Sequence, residues 1–244
     1  IFGSIVPQPI EFEPDGTLDL AKVKSKIKPR DIHFARTKLL CLENTNWGRV
    51  LPMDYLVQVA EFVAIHRLST HLDGARIFNA TVKLRVPAAR IAQYFDTVSF
   101  CLSKGLGAPV GSLLCGKRDF IEEARRWRKV LGGGMRQAGI LAAAGLYALE
   151  HNIERLEQDH ANAALLTEHL KNIPAVEVLP YSGITNMVFT FLRKGTPEGL
   201  AEFLKRRGIL ITVRNPLRLV THLDVDQEAV LALVKGIKDY LATE

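Results

Sequence analysis

One stretch decides the fold of this chain: Ser103-Lys104-Gly105-Leu106-Gly107-Ala108-Pro109. It directly follows a run of strand-forming residues at 97–102, and the glycines and proline after the lysine are typical of a turn at the end of a buried strand. Burying an ammonium group is costly unless it is paired or loses its proton, and a lysine without its proton is a nucleophilic amine. Lys104 is therefore a candidate functional residue, and an ordinary lysine on a surface turn is the alternative.

An acidic residue ends a second apolar run upstream, at Asp73 in the stretch His71-Leu72-Asp73-Gly74-Ala75-Arg76. Helix-forming residues separate this run from the one that ends before Lys104. A strand, a helix and a second strand in this order normally give parallel neighbouring strands, and ligands collect at the carboxyl ends of such strands. We therefore expect Asp73 and Lys104 to face one pocket.

Strand-type and helix-type segments alternate through the first part of the chain, which predicts an α/β fold with a mostly parallel sheet flanked by helices. The pattern changes near residue 151, after which short strands and helices predict a smaller α+β unit. We therefore predict two domains, at residues 1–150 and 151–244. The predicted strands of the second domain lie at 176–179, 186–192, 209–213 and 218–223.

The first residues, at 1–6, form an apolar run that predicts a strand, and this run contains no methionine. A chain that starts inside a strand leads us to expect that an upstream segment is absent from this sequence. We therefore expect the first domain to be incomplete at its N-terminus.

The bulk composition is that of an ordinary globular protein, with 48% hydrophobic and 24% charged residues. The sequence has no apolar run long enough to span a bilayer and no charged-then-apolar leader, so we expect a soluble cytoplasmic protein without a membrane partner. The three cysteines, Cys41, Cys101 and Cys115, are odd in number and lack the spacing of metal ligands. They lie in apolar, strand-like stretches and therefore indicate buried thiols in a reducing compartment and no metal site.

The formal net charge of +6 raises the hypothesis of a nucleic-acid partner. The basic residues are scattered, however, and only those at 125–129 form a dense cluster. No nucleic-acid motif accompanies that cluster, and an anionic small ligand explains the charge equally well. We therefore expect no nucleic-acid partner, and a non-catalytic phosphate- or nucleic-acid-binding module is the alternative from outside the enzymes.

Six stretches, taken together, resemble the low-specificity L-threonine aldolases, which are pyridoxal-phosphate-dependent enzymes of the aspartate-aminotransferase fold group. In the family's order they are DIHFART at 31–37, LENT at 42–45, HLDGARIF at 71–78, SKGLGAPVGS at 103–112, GGGMRQAG at 132–139 and RLVTHLD at 218–224. The resemblance implies a fold type I large domain and a lyase that splits L-threonine or L-allo-threonine into glycine and acetaldehyde. Another fold type I amino-acid lyase, one that catalyses β-elimination, is the alternative among enzymes.

The same resemblance implies roles for four residues. Lys104 would hold pyridoxal 5'-phosphate as a Schiff base, and Asp73 would keep the pyridine nitrogen protonated. A protonated ring is the better electron sink for the carbanion that remains when the Cα–Cβ bond breaks. Arg76 and Arg218 would grip the substrate carboxylate with parallel hydrogen bonds and so select the bond that breaks.

The resemblance places two further residues near the reaction. His33 is a candidate for the proton of the substrate's β-hydroxyl, with a water molecule or the cofactor phosphate as alternatives. Arg136 is expected near the cofactor phosphate, reaching into a neighbouring subunit of a homodimer or homotetramer with sites at the interface. The family carries its phosphate-cradling turn and its ring-stacking residue upstream of the position that corresponds to residue 1, so we expect both to be missing from this chain.

Overall fold

The computed structural model describes residues 3–244, whose strands form two separate sheets. In chain order the strands are β1 Leu39–Glu43, β2 Ser69–Asp73, β3 Thr97–Cys101, β4 Ser112–Gly116, β5 Val176–Val178, β6 Met187–Leu192 and β7 Leu217–Val220. The helices are α1 Leu20–Lys26, α2 Met53–His66, α3 Ile77–Leu84, α4 Ala88–Ala92, α5 Arg118–Val130, α6 Gly139–His151, α7 Leu156–Lys171, α8 Pro197–Lys205 and α9 Gln227–Thr243. Within residues 3–244, no helix combines the length and apolar character needed to cross a bilayer.

The first sheet has the strand order β1-β2-β3-β4. Its first three strands are parallel, and β4 runs antiparallel to β3. The connection between β3 and β4, residues 102–111, contains no crossover helix, so the chain returns beside β3 in the antiparallel direction. The expectation of an α/β fold with a mostly parallel sheet is therefore confirmed.

Helix α2 is the crossover between β1 and β2. It begins directly after Pro52, whose fixed φ suits a helix start, and it buries Tyr55, Leu56 and Val59 on one face. It ends at Arg67, which adopts a left-handed conformation with φ of 55°. This crossover brings the carboxyl ends of β1 and β2 to the same edge of the sheet, where ligands bind in folds of this class.

The core beneath the first sheet combines strand and helix residues. Leu42 and Leu72 from neighbouring strands are at most 4% exposed, and each such leucine contributes about 1.5–3 kcal/mol relative to an exposed position. The buried members of this core are Leu18, Val23, Leu40, Leu42, Leu51, Tyr55, Leu56, Val59, Leu72, Ile77, Ala80, Ile91 and Val98.

The second sheet is antiparallel, with the strand order β5-β6-β7. Helices α7, α8 and α9 contribute to its separate core, whose buried members include Ala163, Leu166, Leu170, Val188, Leu200, Leu204, Leu217, Val234 and Ile237. The two sheets lie on either side of residue 151 in the sequence. The domain boundary at that residue stays a prediction.

Two predicted strands are wrong. The run at 209–213 belongs to no strand, because it packs through Ile209 and Ile211 against the second core without a strand partner. The opening run lies partly outside the described residues, and in its described part, 3–6, the chain is not a strand. Ile5 and Val6 are exposed there, since no described strand lies beside them.

The prediction of buried cysteine thiols is also wrong. Cys41 and Cys115 are exposed, and Cys101 is half-buried. An apolar strand stretch does not show which face of the strand each side chain occupies, because successive side chains point to opposite faces.

Candidate active site

The carboxyl ends of the parallel strands set the geometry of the site. Strand register places Glu43 of β1 beside Asp73 of β2, and Asp73 beside Ser99 of β3. Asp73 is exposed, and its Oδ1 accepts a hydrogen bond of 3.0 Å from the backbone nitrogen of Ala75. This bond orients the carboxylate at the same sheet edge from which the chain continues into Lys104.

The lysine loop, residues 103–108, is a tight turn after β3. The nitrogen of Gly107 donates to the carbonyl of Lys104 at 2.9 Å, and Gly107 has a φ of 74° that glycine adopts readily. Leu106 and Ala108 are buried, so they anchor the loop. Lys104 itself is exposed in this turn.

A cavity of about 540 Å³ lies between the two sheets and brings the predicted arginine pair together. Its lining residues are Glu43, Thr45, Trp47, Arg76, Met187, Phe189, Arg214, Asn215, Pro216 and Arg218. Arg76 comes from the turn after β2, and Arg218 comes from β7 in the second sheet. Asp73 and Lys104 are not among these lining residues.

Arg76 lies in this cavity with too few partners, in the described part of the chain, for its charge and its hydrogen-bond donors. Burial lowers the pKa of its guanidinium, and the like charge of Arg218 lowers it further, whereas Glu43 and Asp73 act in the opposite direction. Its Nε is buried and has no hydrogen-bond partner among residues 3–244. A buried, unpaired donor beside a second arginine indicates a site that is completed by an anion, and a carboxylate offers the matching pair of acceptors.

His33 lies outside the cavity. It sits in the loop before β1 with its side chain 79% exposed, and its Nδ1 lies 2.6 Å from Oδ1 of Asp31. The hydrogen bonds from the backbone and ring of His33 lower the pKa of the Asp31 carboxyl. The structure does not bring His33 to the arginine pair, and its proton-transfer role stays a prediction.

Arg136 is exposed in the connection between α5 and α6, and it does not line the cavity. It is flanked by an apolar surface, defined by the exposed side chains of Val130, Leu131, Met135 and Ile140. If Arg136 contacts the cofactor phosphate as predicted, it does so outside this cavity.

Sequence reasoning missed the aromatic wall of the cavity. Trp47 stacks on Phe189 with ring centroids 5.2 Å apart and an angle of 16° between the planes. The neighbouring Gly48 accepts a hydrogen bond of 2.8 Å from Thr185, which ties this loop to the second sheet. An aromatic residue directly after the polar end of a buried strand is the signal that points to Trp47.

Sequence reasoning also missed Arg214, which is the third arginine that lines the cavity. Its position four residues before Arg218 is visible in the sequence. The chain bends at Asn215 and Pro216 before β7, however, so spacing alone does not show that both arginines line one cavity.

Comparison with known proteins gives consistent matches. A family model described as beta-eliminating lyase matches residues 1–193. The low specificity L-threonine aldolase of Escherichia coli (strain K12) is 52% identical over 242 residues, which are 99% of this chain and 72% of that protein. The probable low-specificity L-threonine aldolase 2 of Arabidopsis thaliana is 42% identical over 248 residues, covering 96% of this chain and 70% of that protein. A solved structure of a putative L-allo-threonine aldolase from Listeria monocytogenes matches with a TM-score of 0.79 at 21% identity, covering 98% of this chain and 69% of that one, and supports the fold alone.

Proposed function

We propose a function for this chain from the premise that it belongs to the beta-eliminating lyase family and, within it, to the low-specificity L-threonine aldolases. It is a pyridoxal-phosphate-dependent lyase that cleaves the Cα–Cβ bond of L-threonine and L-allo-threonine to give glycine and acetaldehyde. The observation that carries this function is the arginine pair, Arg76 and Arg218, facing one cavity beside the strand end that bears Asp73.

The residues at the sheet edge fit pyridoxal 5'-phosphate. The exposed carboxylate of Asp73 ends β2, and the exposed primary amine of Lys104 follows the end of the neighbouring parallel strand β3. These are the two groups that the cofactor's pyridine nitrogen and its aldehyde require. When bound, the cofactor supplies an electron-withdrawing ring that accepts the electron pair left at Cα.

The protein's own residues orient the substrate. Arg76 and Arg218 would bind its carboxylate from opposite domains, and Asp73 would hold a proton at the pyridine nitrogen. Fixing the carboxylate determines which bond at Cα is aligned for cleavage, and such alignment accounts for a large part of enzymatic rate enhancement. Selection of the Cα–Cβ bond would therefore depend on the arginine pair.

His33 is the proposed acceptor for the proton of the β-hydroxyl. Its Nδ1 lies 2.6 Å from the Asp31 carboxylate, which holds the ring in one orientation. With Nδ1 donating to that carboxylate, Nε2 is left as the proton acceptor. A water molecule or the cofactor phosphate is the alternative.

The proposal extends to assembly and location. We propose a cytoplasmic homodimer or homotetramer in which Arg136 reaches the cofactor phosphate of a neighbouring subunit. The apolar surface beside Arg136 supports this, because exposed apolar patches on soluble proteins mark contact sites. We also propose the division into domains at residues 1–150 and 151–244, since the two sheets have separate cores.

Product analysis tests the proposed reaction. The intact protein with pyridoxal phosphate is supplied with L-threonine, L-allo-threonine, L-serine and L-cysteine. We expect glycine and acetaldehyde from the first two amino acids. Ammonia and a keto acid would instead support β-elimination, the second candidate, which the description of the matched family model favours.

A further inference from the structure

The start of α7 contacts all three segments that carry the proposed site. These segments are the lysine loop, helix α3 directly after Arg76, and the residues directly after β7, which carries Arg218. The contacts come from a stretch of six residues, 155–160, together with Asn152 at the end of α6.

Two side chains hold the backbone of the lysine loop. Nδ2 of Asn152 donates to the carbonyl of Leu106 at 2.7 Å, and Nη1 of Arg155 donates to the carbonyl of Gly105 at 3.4 Å. Gly105 also packs closely on α7, because a Cβ at this position would lie 2.8 Å from Cδ2 of Leu156. The loop backbone on the C-terminal side of Lys104 is therefore fixed by residues at the start of the second domain.

Asp159 holds Arg155 in place. Its side chain is fully buried, and both of its oxygens accept hydrogen bonds from the guanidinium of Arg155, which is 22% exposed. Burial raises the pKa of the Asp159 carboxyl, and the bonds from Arg155 oppose that rise. Removing either partner would leave the other poorly solvated, so the two residues act as one unit.

The same helix turn reaches the other two segments. The carbonyl of Asp159 accepts a hydrogen bond of 2.6 Å from the hydroxyl of Thr221, which directly follows β7. Nε2 of His160 lies 3.1 Å from Nδ2 of Asn79, and the backbone nitrogen of Asn79 donates to the carbonyl of Arg76.

We propose that Asn152, Arg155 and Asp159 are positioning residues that set the lysine loop in register with the arginine pair. This inference rests on the proposed function, because it assigns the three residues a role in the reaction of Lys104. None of the three lines the cavity that holds the arginine pair. They act through the carbonyls of Gly105 and Leu106, so they fix where the amine of Lys104 stands relative to a carboxylate held by Arg76 and Arg218.

The physical effect is on alignment rather than on binding. A displacement of about 1 Å at the reacting centre costs about 100-fold in rate, whereas the carboxylate contacts that govern substrate affinity are unchanged. A positioning role therefore lowers kcat more than it raises KM. A role in folding alone changes neither constant in a variant that folds.

The first test replaces the ion pair as a unit in the intact holoenzyme, with Arg155→Met and Asp159→Leu combined. Apolar replacement of a buried ion pair is often neutral or stabilising, so a folded protein is expected. We expect kcat for L-threonine to fall about 10- to 100-fold with KM changed less than about 3-fold. The pH midpoint of the visible absorption band should also shift, because the environment of the Lys104 amine changes.

The matched control removes an arginine–carboxylate pair that is also four residues apart on a helix. The change is Arg206→Met with Glu202→Leu at the end of α8, where the pair is exposed and 3.4 Å apart. We expect kcat, KM and the pH midpoint to stay at their wild-type values. A folded Arg155/Asp159 variant with wild-type kcat and pH midpoint would overturn the proposal.

A milder variant, Asn152→Ala, tests the same point without the ion pair and without catalysis. In the cofactor-free intact protein, amide hydrogen exchange at Gly107 and Ala108 should become about 3- to 10-fold faster, since one hydrogen bond to the loop is lost. Unchanged exchange at both amides argues against positioning, whether or not the pair variant folds. Because this measurement needs no reaction, it stays separate from a failure of the proposed function, which would appear as an inactive wild-type protein.

Discussion

At the residue scale, the cavity brings two positively charged arginines together and leaves a buried hydrogen-bond donor without an acceptor within residues 3–244. Arg76 and Arg218 place two like charges against it, and the buried Nε of Arg76 has no partner among the described residues. A bound carboxylate offsets the repulsion between the two arginines, because its negative charge lies between them. Its oxygens also accept hydrogen bonds from the unpaired guanidinium donors. Substrate binding should therefore depend strongly on each arginine.

Replacing Arg218 by alanine tests this dependence. Hydrogen bonds to charged groups contribute about 1.5–3 kcal/mol, so KM for L-threonine should rise about 10- to 150-fold, and kcat should fall as the carboxylate loses its orientation. Steady-state kinetics of the intact holoenzyme measure both constants. The control is Arg193→Ala, a surface arginine 3.5 Å from Glu177. A KM equal to that of the control variant would remove Arg218 from the site.

The arginine pair shows how far individual residues can be predicted from the sequence. Resemblance to a family points to Arg76 and Arg218, and the structure brings both to one cavity. Trp47 and Arg214 are not predicted, because their places depend on how the second sheet packs against the first. His33 and Arg136 do not line this cavity, so their predicted roles depend on groups that lie elsewhere.

At the element scale, the start of α7 links the two parts of the fold. His160 on this helix accepts a hydrogen bond from Asn79 on α3, and an acceptor Nε2 must carry no proton. Burial, together with the nearby charge of Lys83, lowers the pKa of His160 to about 4. The contact between α7 and α3 therefore belongs to the neutral form of His160.

This contact predicts a loss of stability in mild acid. An unfolded histidine has a pKa near 6.5, so between pH 6.5 and 4 the unfolded state binds the proton more readily, and stability falls as the pH falls. The free energy of unfolding should decrease by about 1.4 kcal/mol per pH unit in this window from His160 alone.

Urea unfolding of wild type and His160→Gln, compared at pH 6.5 and pH 4.5, measures this contribution. Glutamine keeps a hydrogen-bond acceptor for Asn79 but does not titrate, so the variant should lose less stability over the same interval. Equal losses in the two proteins would show that His160 is not the group responsible.

Elements were more predictable than their ends and partners. The strands that end at Asp73 and before Lys104 follow from local residue patterns, because buried parallel strands are short, apolar and followed by turn residues. The run at 209–213 has the same local pattern, yet it packs as irregular chain against the second core. Whether a partner strand is available is a property of the tertiary structure, which a local pattern does not contain.

At the scale of the whole molecule, two surfaces have no binding partner among the described residues: the arginine cavity and the apolar surface beside Arg136. The arginine cavity has both charged and aromatic lining residues and lies between the sheets, whereas the apolar surface beside Arg136 is exposed. Solvent-exposed apolar side chains in such a cluster are stabilised by burial against another molecule. The proposed assembly of subunits would cover this surface.

Ile140→Asp tests the assembly. Ile140 is 85% exposed, so a charge there is tolerated in a single chain but is costly inside an interface. We expect a lower molar mass than wild type in analytical ultracentrifugation of the intact protein. The control is Leu210→Asp, at a residue that is 79% exposed and lies in the second half of the chain. If Ile140→Asp and Leu210→Asp give the same mass as wild type, the apolar surface is not an interface.

The measurement that tests the central claim most directly is reduction of the intact holoenzyme with borohydride, followed by peptide mapping. The account predicts that the cofactor becomes fixed to Lys104, and that Lys104→Ala yields no fixed cofactor and no turnover of L-threonine. A cofactor fixed to a different lysine in the wild-type protein, or normal turnover by Lys104→Ala, would contradict it.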